Sequence, residues 1–307
     1  MNRDTVANAD LRWRGPGPGR PALPLPPDKM PIRRGGLWRK RWRYVGAFCD
    51  ELLLCAARVQ VGPLGQTFWV VWDREGRRMW ERTKTLLPGA RGEVWTEGAE
   101  GDGLVDHAGD GGSVVRIEGH HPEAAQVRAF LRVGGGKWVE AVCPNEGGEY
   151  VWTRKRVDVP VDCDVRIGDQ RWRVEARGVE DESAGYHPRH TVWSWSAGVG
   201  RTNDGRGVGW NLVSGINDPD ERSERGIWVA GEPFEPGPVE FEDLRAIAFD
   251  DGARLEFAAE CERSREENRI VVRYAYRQPF GSFSGTLPGG LELERGLGVM
   301  EHHDARW

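Results

Sequence analysis

Long apolar runs are missing from this chain of 307 residues. None approaches the ~20 apolar residues a membrane-crossing helix needs, so no membrane span is expected. The opening MNRDTVANADLRWRG lacks the apolar core of a secretory signal. Five scattered cysteines (Cys49, Cys55, Cys143, Cys163 and Cys261) make no C-x-x-C pair. That pattern predicts reduced, mostly structural thiols in a cytoplasmic protein. An excess of positive charge is absent too: 43 lysines and arginines face 48 acids, for a net −5, which gives no reason to expect nucleic acid as the main partner. There is no Walker loop, no G-x-S-x-G, and no G-x-G-x-x-G ahead of a helix. No cofactor is therefore expected. Finally, no window carries a convincing 3.6-residue apolar period over twelve residues, which argues against helices.

What the chain does have is a period of two, from Arg41 onward, broken by turn pairs such as Glu75-Gly76, Gly168-Asp169, Asp204-Gly205 and Asp251-Gly252. Many short strands with Gly-rich turns predict an all-β fold. They are too many for one small barrel, so two consecutive antiparallel barrels are expected, joined near 143–165. The expected division is a Pro-rich arm at 1–31, a first barrel at 32–150 and a second at 151–307. The arm holds seven of the nineteen prolines and reads as mobile or strapped along a barrel. Residues 85–112 read as a long polar loop, a lid or an insert. Between 33 and 43, Arg33, Arg34, Arg39, Lys40, Arg41 and Arg43 interleave with Trp38 and Trp42. This segment reads as an edge strand with a solvated basic face; an anion site is the alternative.

Tryptophan is the outlier, at 15 residues against 5 tyrosines and 9 phenylalanines. Indoles pack large β cores, and they also wall pockets for apolar or cationic ligands. Three of them fall in DESAGYHPRHTVWSWSAGVGRTNDGRGVGW, residues 181–210, beside a cluster of ionisable groups. In the strand that follows Pro188, Thr191, Trp193 and Trp195 share one face; His190, Val192 and Ser194 share the other. His187-x-x-His190, Asp181, Glu182 and the terminal His302-His303-Asp304 offer metal ligands in principle. Adjacent strand residues point to opposite faces, however, so His302 and His303 do not suit one ion, and no metal is expected.

The segments DESAGYHPRHTVWSWSAG, GRGVGWNLVSGINDP, SERGIWVAGEPFE and GVMEHHDARW resemble the bacterial domain-of-unknown-function family 2804, over nearly the whole chain from about Leu23. That family is related to the lipocalin-like carotenoid 1,2-hydratase and AttH group. The group's signature is an Asp-His-Asn-Trp-Gly turn followed by a Trp-x-Trp strand. Asp181 and Gly185 match the turn's ends, and Trp193 and Trp195 match the strand. Glu182 and Ala184 depart from it. The resemblance implies two tandem lipocalin-like barrels and an apolar, isoprenoid-like small-molecule ligand.

Adding water to an alkene, or cyclising one, needs an acid kept protonated by burial and aromatic faces for the cation. The expected acid is Asp181 or Glu182, with His187, His190 or Tyr186 relaying a proton. Trp193, Trp195, Trp210 and Trp228 are expected to line the pocket. Arg189, Asn211, Glu224, His302 and His303 are the further candidate contacts. The functional expectation is a cofactor-independent hydratase, cyclase or isomerase acting on a long apolar substrate. The alternative is a non-catalytic lipid or isoprenoid binder. Oligomeric state is not written in the sequence.

Overall fold

The computed structural model describes residues 11–97, 112–124, 126–145, 148–268 and 273–306. Among them are twenty-two strands and no helix. The principal sheet order of the first half is Arg78–Leu86, Leu64–Asp73, Leu52–Val61, Lys40–Phe48, Gln170–Gly185, Tyr150–Ile167, Val127–Val133, Ser113–Gly119 and Val94–Glu97. Trp138–Pro144 also pairs with Tyr150–Ile167, and Trp13–Gly15 pairs with it in turn. The second sheet runs Glu232–Phe234, Gly226–Val229, Gly207–Ser214, His190–Thr202, Leu291–Arg306, Arg273–Leu287, Arg254–Asn268, Ala246–Phe249 and Val239–Glu242. Each sheet curls on itself. Trp80 and Val94, from the two edge strands of the first sheet, meet in one core with Leu54, Leu131 and Val165. Two tandem lipocalin-like barrels result.

Three apolar layers follow from strand alternation. In Lys40–Phe48, Val45 and Ala47 face the first barrel's interior, while Tyr44 and Phe48 face the second barrel. A bulge at Asp158, with φ of 59°, turns the chain between Val157 in the interbarrel layer and Val159 in the first core. Trp195, Val199, Phe280 and Val299 complete the interbarrel layer from the other sheet. Trp210, Ile247, Phe257 and Phe283 fill the second barrel.

Three expectations from the sequence change. Tyr150–Ile167 and Gln170–Gly185 pair within the first sheet, so the sheets change between Gly185 and His190, later than the 150/151 division. Alternation alone cannot tell which sheet a strand joins. Lys40–Phe48 is an inner strand rather than a solvated edge, and Lys40 and Arg43 are buried in it. Arg43 faces the buried acids Glu180 and Glu182 instead of water. Within the expected loop 85–112, Val94–Glu97 is a strand paired with Ser113–Gly119, and residues 98–111 lie outside those described. The arm from Leu11 onward is strapped down. Trp13, Leu25 and Met30 pack on Tyr150, Trp152 and Tyr186. The Tyr150 and Tyr186 hydroxyls donate to the carbonyls of Pro24 and Pro31 at 2.8 and 2.7 Å. Trp307 lies outside the described residues. No helix among those described is long and apolar enough to cross a membrane.

Candidate functional site

Polar side chains concentrate at one end of the interbarrel layer. Alternation aims Trp42 and Tyr44 there from one strand, Lys155 from a second and Asp181 from a third. From the facing sheet come Trp193, Trp195, Asn211, Gln278, Glu301 and His303. The connections are direct. Lys155 Nζ lies 2.5 Å from Asp181 Oδ1 and 3.5 Å from Glu224 Oε1, so one ammonium from the first sheet holds carboxylates from both halves. Burial works against the charge on Lys155, but the two carboxylates outweigh it and raise its pKa. Trp42 Nε1 donates to Asp181 at 3.3 Å. Trp195 Nε1 donates to Asn211 Oδ1 at 2.8 Å, and Asn211 donates to the Glu224 carbonyl at 3.0 Å. The Tyr44 ring meets Trp195 edge-on at 5.3 Å.

Glu301 is held by two donors from neighbouring strands. Trp193 Nε1 and Gln278 Nε2 donate to its two oxygens, each at 2.9 Å. The residue keeps some solvent contact, and the Trp193 indole and Gln278 amide cap its carboxylate. Burial pushes its pKa up to about 7; Trp193, Tyr276 and Arg263 oppose the rise, and Asp181 adds to it. The His303 ring packs tilted against Trp193 at 4.1 Å and meets Tyr276 edge-on at 5.5 Å. Burial, then the charge on Lys40, pushes His303 down to about 3. The same two causes, in the same order, hold the buried His187 well below its usual value. Its ring sits 5.0 Å from Trp42. Lys40 itself is lowered to about 7 by burial. Burial also raises Glu224, with Lys155 opposing and Asp181 reinforcing. Neutral imidazoles beside a half-protonated carboxyl are the usual equipment for moving protons.

Several buried polar atoms here have no hydrogen-bond partner of ordinary geometry: the hydroxyls of Tyr44, Ser183 and Thr191, Gln278 Oε1, His303 Nε2 and both nitrogens of His187. Buried polar groups are normally satisfied, so this concentration marks a place for water or a ligand. Two open clefts of about 490 Å³ each indent the surface. The first, lined by Glu81, Thr83, His121 and Arg263, borders the site. Arg263 donates to the Tyr276 hydroxyl at 3.2 Å and covers the Phe68 ring at 4.0 Å. The second cleft lies at the Asp158–Arg177 ion pair, away from these groups.

The sequence candidates divide. Asp181, His187, Trp193, Trp195, Asn211, Glu224 and His303 come together in this site. Glu182 does not: it is on the opposite face of its strand, fully buried with Arg154 at 2.8 Å and Arg43 at 3.5 Å. Glu180 joins the same ion network with Arg43 and Arg156. Tyr186 holds the arm. Trp210 lies in the second barrel's core, donating to Ser196 at 3.1 Å. Trp228 sits in the interbarrel layer and donates to the Lys137 carbonyl at 2.9 Å. Arg189, His190 and His302 face solvent. His190 meets Asp304 at 2.8 Å and His302 meets Ser194 at 3.2 Å on that outer face. Lys155, not Arg189, pairs with Asp181 and Glu224. Among the described residues no His, Cys, Asp and Glu cluster suits a metal. Sequence reasoning missed Lys40, Trp42, Tyr44, Lys155, Gln278 and Glu301. The signal for Glu301 was present, since placing His303 inward puts Glu301 on the same face two residues earlier.

A family model described as Domain of unknown function (DUF2804) matches residues 27–307. Comparison with curated protein sequences finds no match. Among solved structures, kievitone hydratase from Nectria haematococca aligns with a TM-score of 0.54 at 10% identity, covering 86% of this chain and 88% of that one. An AttH-like protein of Nitrosomonas europaea aligns with a TM-score of 0.43 at 11% identity, covering 92% and 98%. At such identities the likeness is one of fold.

Proposed function

We propose that this chain, which belongs to the DUF2804 family, is a cofactor-independent acid–base enzyme of the hydratase, cyclase or isomerase kind. Its substrate is a small molecule with an apolar body and polar handles, held between the barrels. The observation that carries this reading is Glu301, held near 7 between Trp193 and Gln278 amid unpartnered buried polar atoms. Glu301 takes the acid role first given to Asp181, because Asp181 is committed to Lys155. The protonated carboxyl gives its proton to one carbon of a polarised double bond. The faces of Trp193, Trp195 and Trp42 stabilise the cation left on the other carbon. Water adds its oxygen there and gives up a proton to neutral His303 or back to the Glu301 carboxylate; loss of a carbon-bound proton instead completes an isomerisation. The apolar body fits the aromatic walls. The handles supply partners to the Tyr44 hydroxyl and the Gln278 carbonyl.

Mass spectrometry of an organic extract of gently purified protein supplies the test compound. That compound is then incubated with wild type, Glu301→Gln and Asp181→Asn. Conversion by wild type, with turnover down about a hundredfold or more in Glu301→Gln, is expected. Recovery of the compound unchanged from wild type and Glu301→Gln alike would favour a carrier over an enzyme.

A further inference from the structure

We propose that a rim formed by Ile32, Trp38, Leu64 and Leu87, flanked by Arg33 and Arg91, docks this protein on anionic lipid bilayers. Six large apolar side chains are exposed among the described residues, and four of them are these, at 47, 45, 46 and 70%. They come from three separate segments that the fold brings side by side. Register pairs Gly65 with Leu86, which sets Leu64 and Leu87 at the same end of their hairpin. The Trp38 ring covers Gly62, where a Cβ would lie 2.8 Å from it. Arg39 donates its amide to the Ile32 carbonyl, and Gly62 donates to Arg39, each at 2.9 Å. Isolated exposed apolar residues need no explanation, but a contiguous group marks a contact surface.

Charge says what it contacts. The segments 31–39, 61–66 and 84–92 contain Arg33, Arg34, Arg39, Lys84 and Arg91 and not one acid. Arg33 and Arg91 are exposed, and each lies over an indole at 5.3 Å, Trp38 and Trp95 respectively. The chain as a whole carries net charge −5, so the three tips are locally basic against an acidic whole. Three turn tips carrying Leu, Ile and Trp, with guanidinium groups beside them, suit the boundary between headgroups and acyl chains. There the apolar tips enter while the arginines meet lipid phosphates. The strand Lys40–Phe48 begins two residues past Trp38 and carries Trp42 and Tyr44 into the interbarrel site. An apolar molecule leaving the bilayer here therefore arrives next to the site. The docking inference rests on the surface alone and does not depend on the proposed reaction.

Co-sedimentation of the full chain with vesicles tests it, using phosphatidylcholine alone and phosphatidylcholine mixed with phosphatidylglycerol. Partition onto the mixed vesicles is expected to exceed that onto phosphatidylcholine by about tenfold, and to weaken as salt is added. Each basic residue near an anionic surface strengthens binding roughly fivefold, so Arg33→Glu with Arg91→Glu should lower partition by about tenfold or more. Leu87→Asp should lower it similarly while leaving the far-ultraviolet circular dichroism unchanged, because the side chain is mostly in water. A wild type that stays in the supernatant with the mixed vesicles overturns the inference, as does partition that neither variant lowers. A dimer that Leu87→Asp converts to monomer, without vesicle binding, would assign the rim to self-association instead. None of these results bears on turnover by Glu301, which is read with extracted compound.

Discussion

Glu301 and His303 lie two residues apart on one face of one strand, and burial moves them in opposite directions. Glu301 is held near 7 from an ordinary 4.5, and His303 near 3 from an ordinary 6.5. In the folded chain Glu301 keeps its proton through a range in which the unfolded chain has lost it. Its contribution to stability is therefore full below about 4.5 and is lost as pH rises through about 7. His303 works the other way. The folded ring stays neutral while the unfolded chain takes up a proton below 6.5, so its contribution is lost as pH falls from 6.5 toward 3. Replacing the carboxyl by an amide removes the first term only. Glu301→Gln should gain stability relative to wild type at about pH 8 compared with about pH 5, as measured by denaturant midpoints. An equal difference at both values would mean that Glu301 is not held protonated, and the acid role would go with it.

Among the strands, His190–Thr202 and Leu291–Arg306 approach each other through glycine. Gly198 pairs with Gly298 and Gly200 with Gly296. A Cβ on Gly298 would lie 2.4 Å from the Ala197 carbonyl oxygen and 2.6 Å from Gly198 Cα, both backbone atoms that cannot rotate away. These are the two strands that present Trp193, Trp195, Glu301 and His303, so their spacing sets the site's width. Gly298→Ala should destabilise by about 1–3 kcal/mol in a urea titration. Gly17→Ala, where a Cβ would meet nothing within 4 Å, should leave the midpoint in place. Much of this level was legible in the sequence. Alternation correctly put Thr191, Trp193 and Trp195 on one face, His190, Val192 and Ser194 on the other, and separated His302 from His303. Alternation failed where both faces of a strand are buried. Arg43 looks like a solvated residue in the sequence, yet it sits in an ion network with Glu180 and Glu182. Asp181 and Glu182 are adjacent, and their different roles depend on which barrel each faces, a long-range fact that local pattern does not encode. Lys155 and Gln278 were missed for the same reason: their partners come from distant segments, and only the fold brings them together.

Across the whole molecule, the two barrels are joined by the interbarrel layer, by ion pairs such as Arg74–Glu260 and Arg263–Glu81, and by Lys155. The ammonium belongs to the first sheet; Asp181 faces it from the same sheet and Glu224 from the second half. All three are buried. Removing only the cation leaves two carboxylates near each other in a place water does not screen, at a cost of about 3–5 kcal/mol. Because the apolar layer mixes Tyr44, Phe48 and Val157 with Trp195, Phe280 and Val299, neither barrel can leave without uncovering the other. Lys155→Met should therefore lower hydrogen-exchange protection in both halves by similar amounts, as read on the slowest amides of Leu52–Val61 and of Arg273–Leu287. Loss confined to the half around Glu224 would mean that the barrels open independently. The interbarrel site would then be a hinge between two domains, and a substrate bound there would have to close it before any proton moved from Glu301.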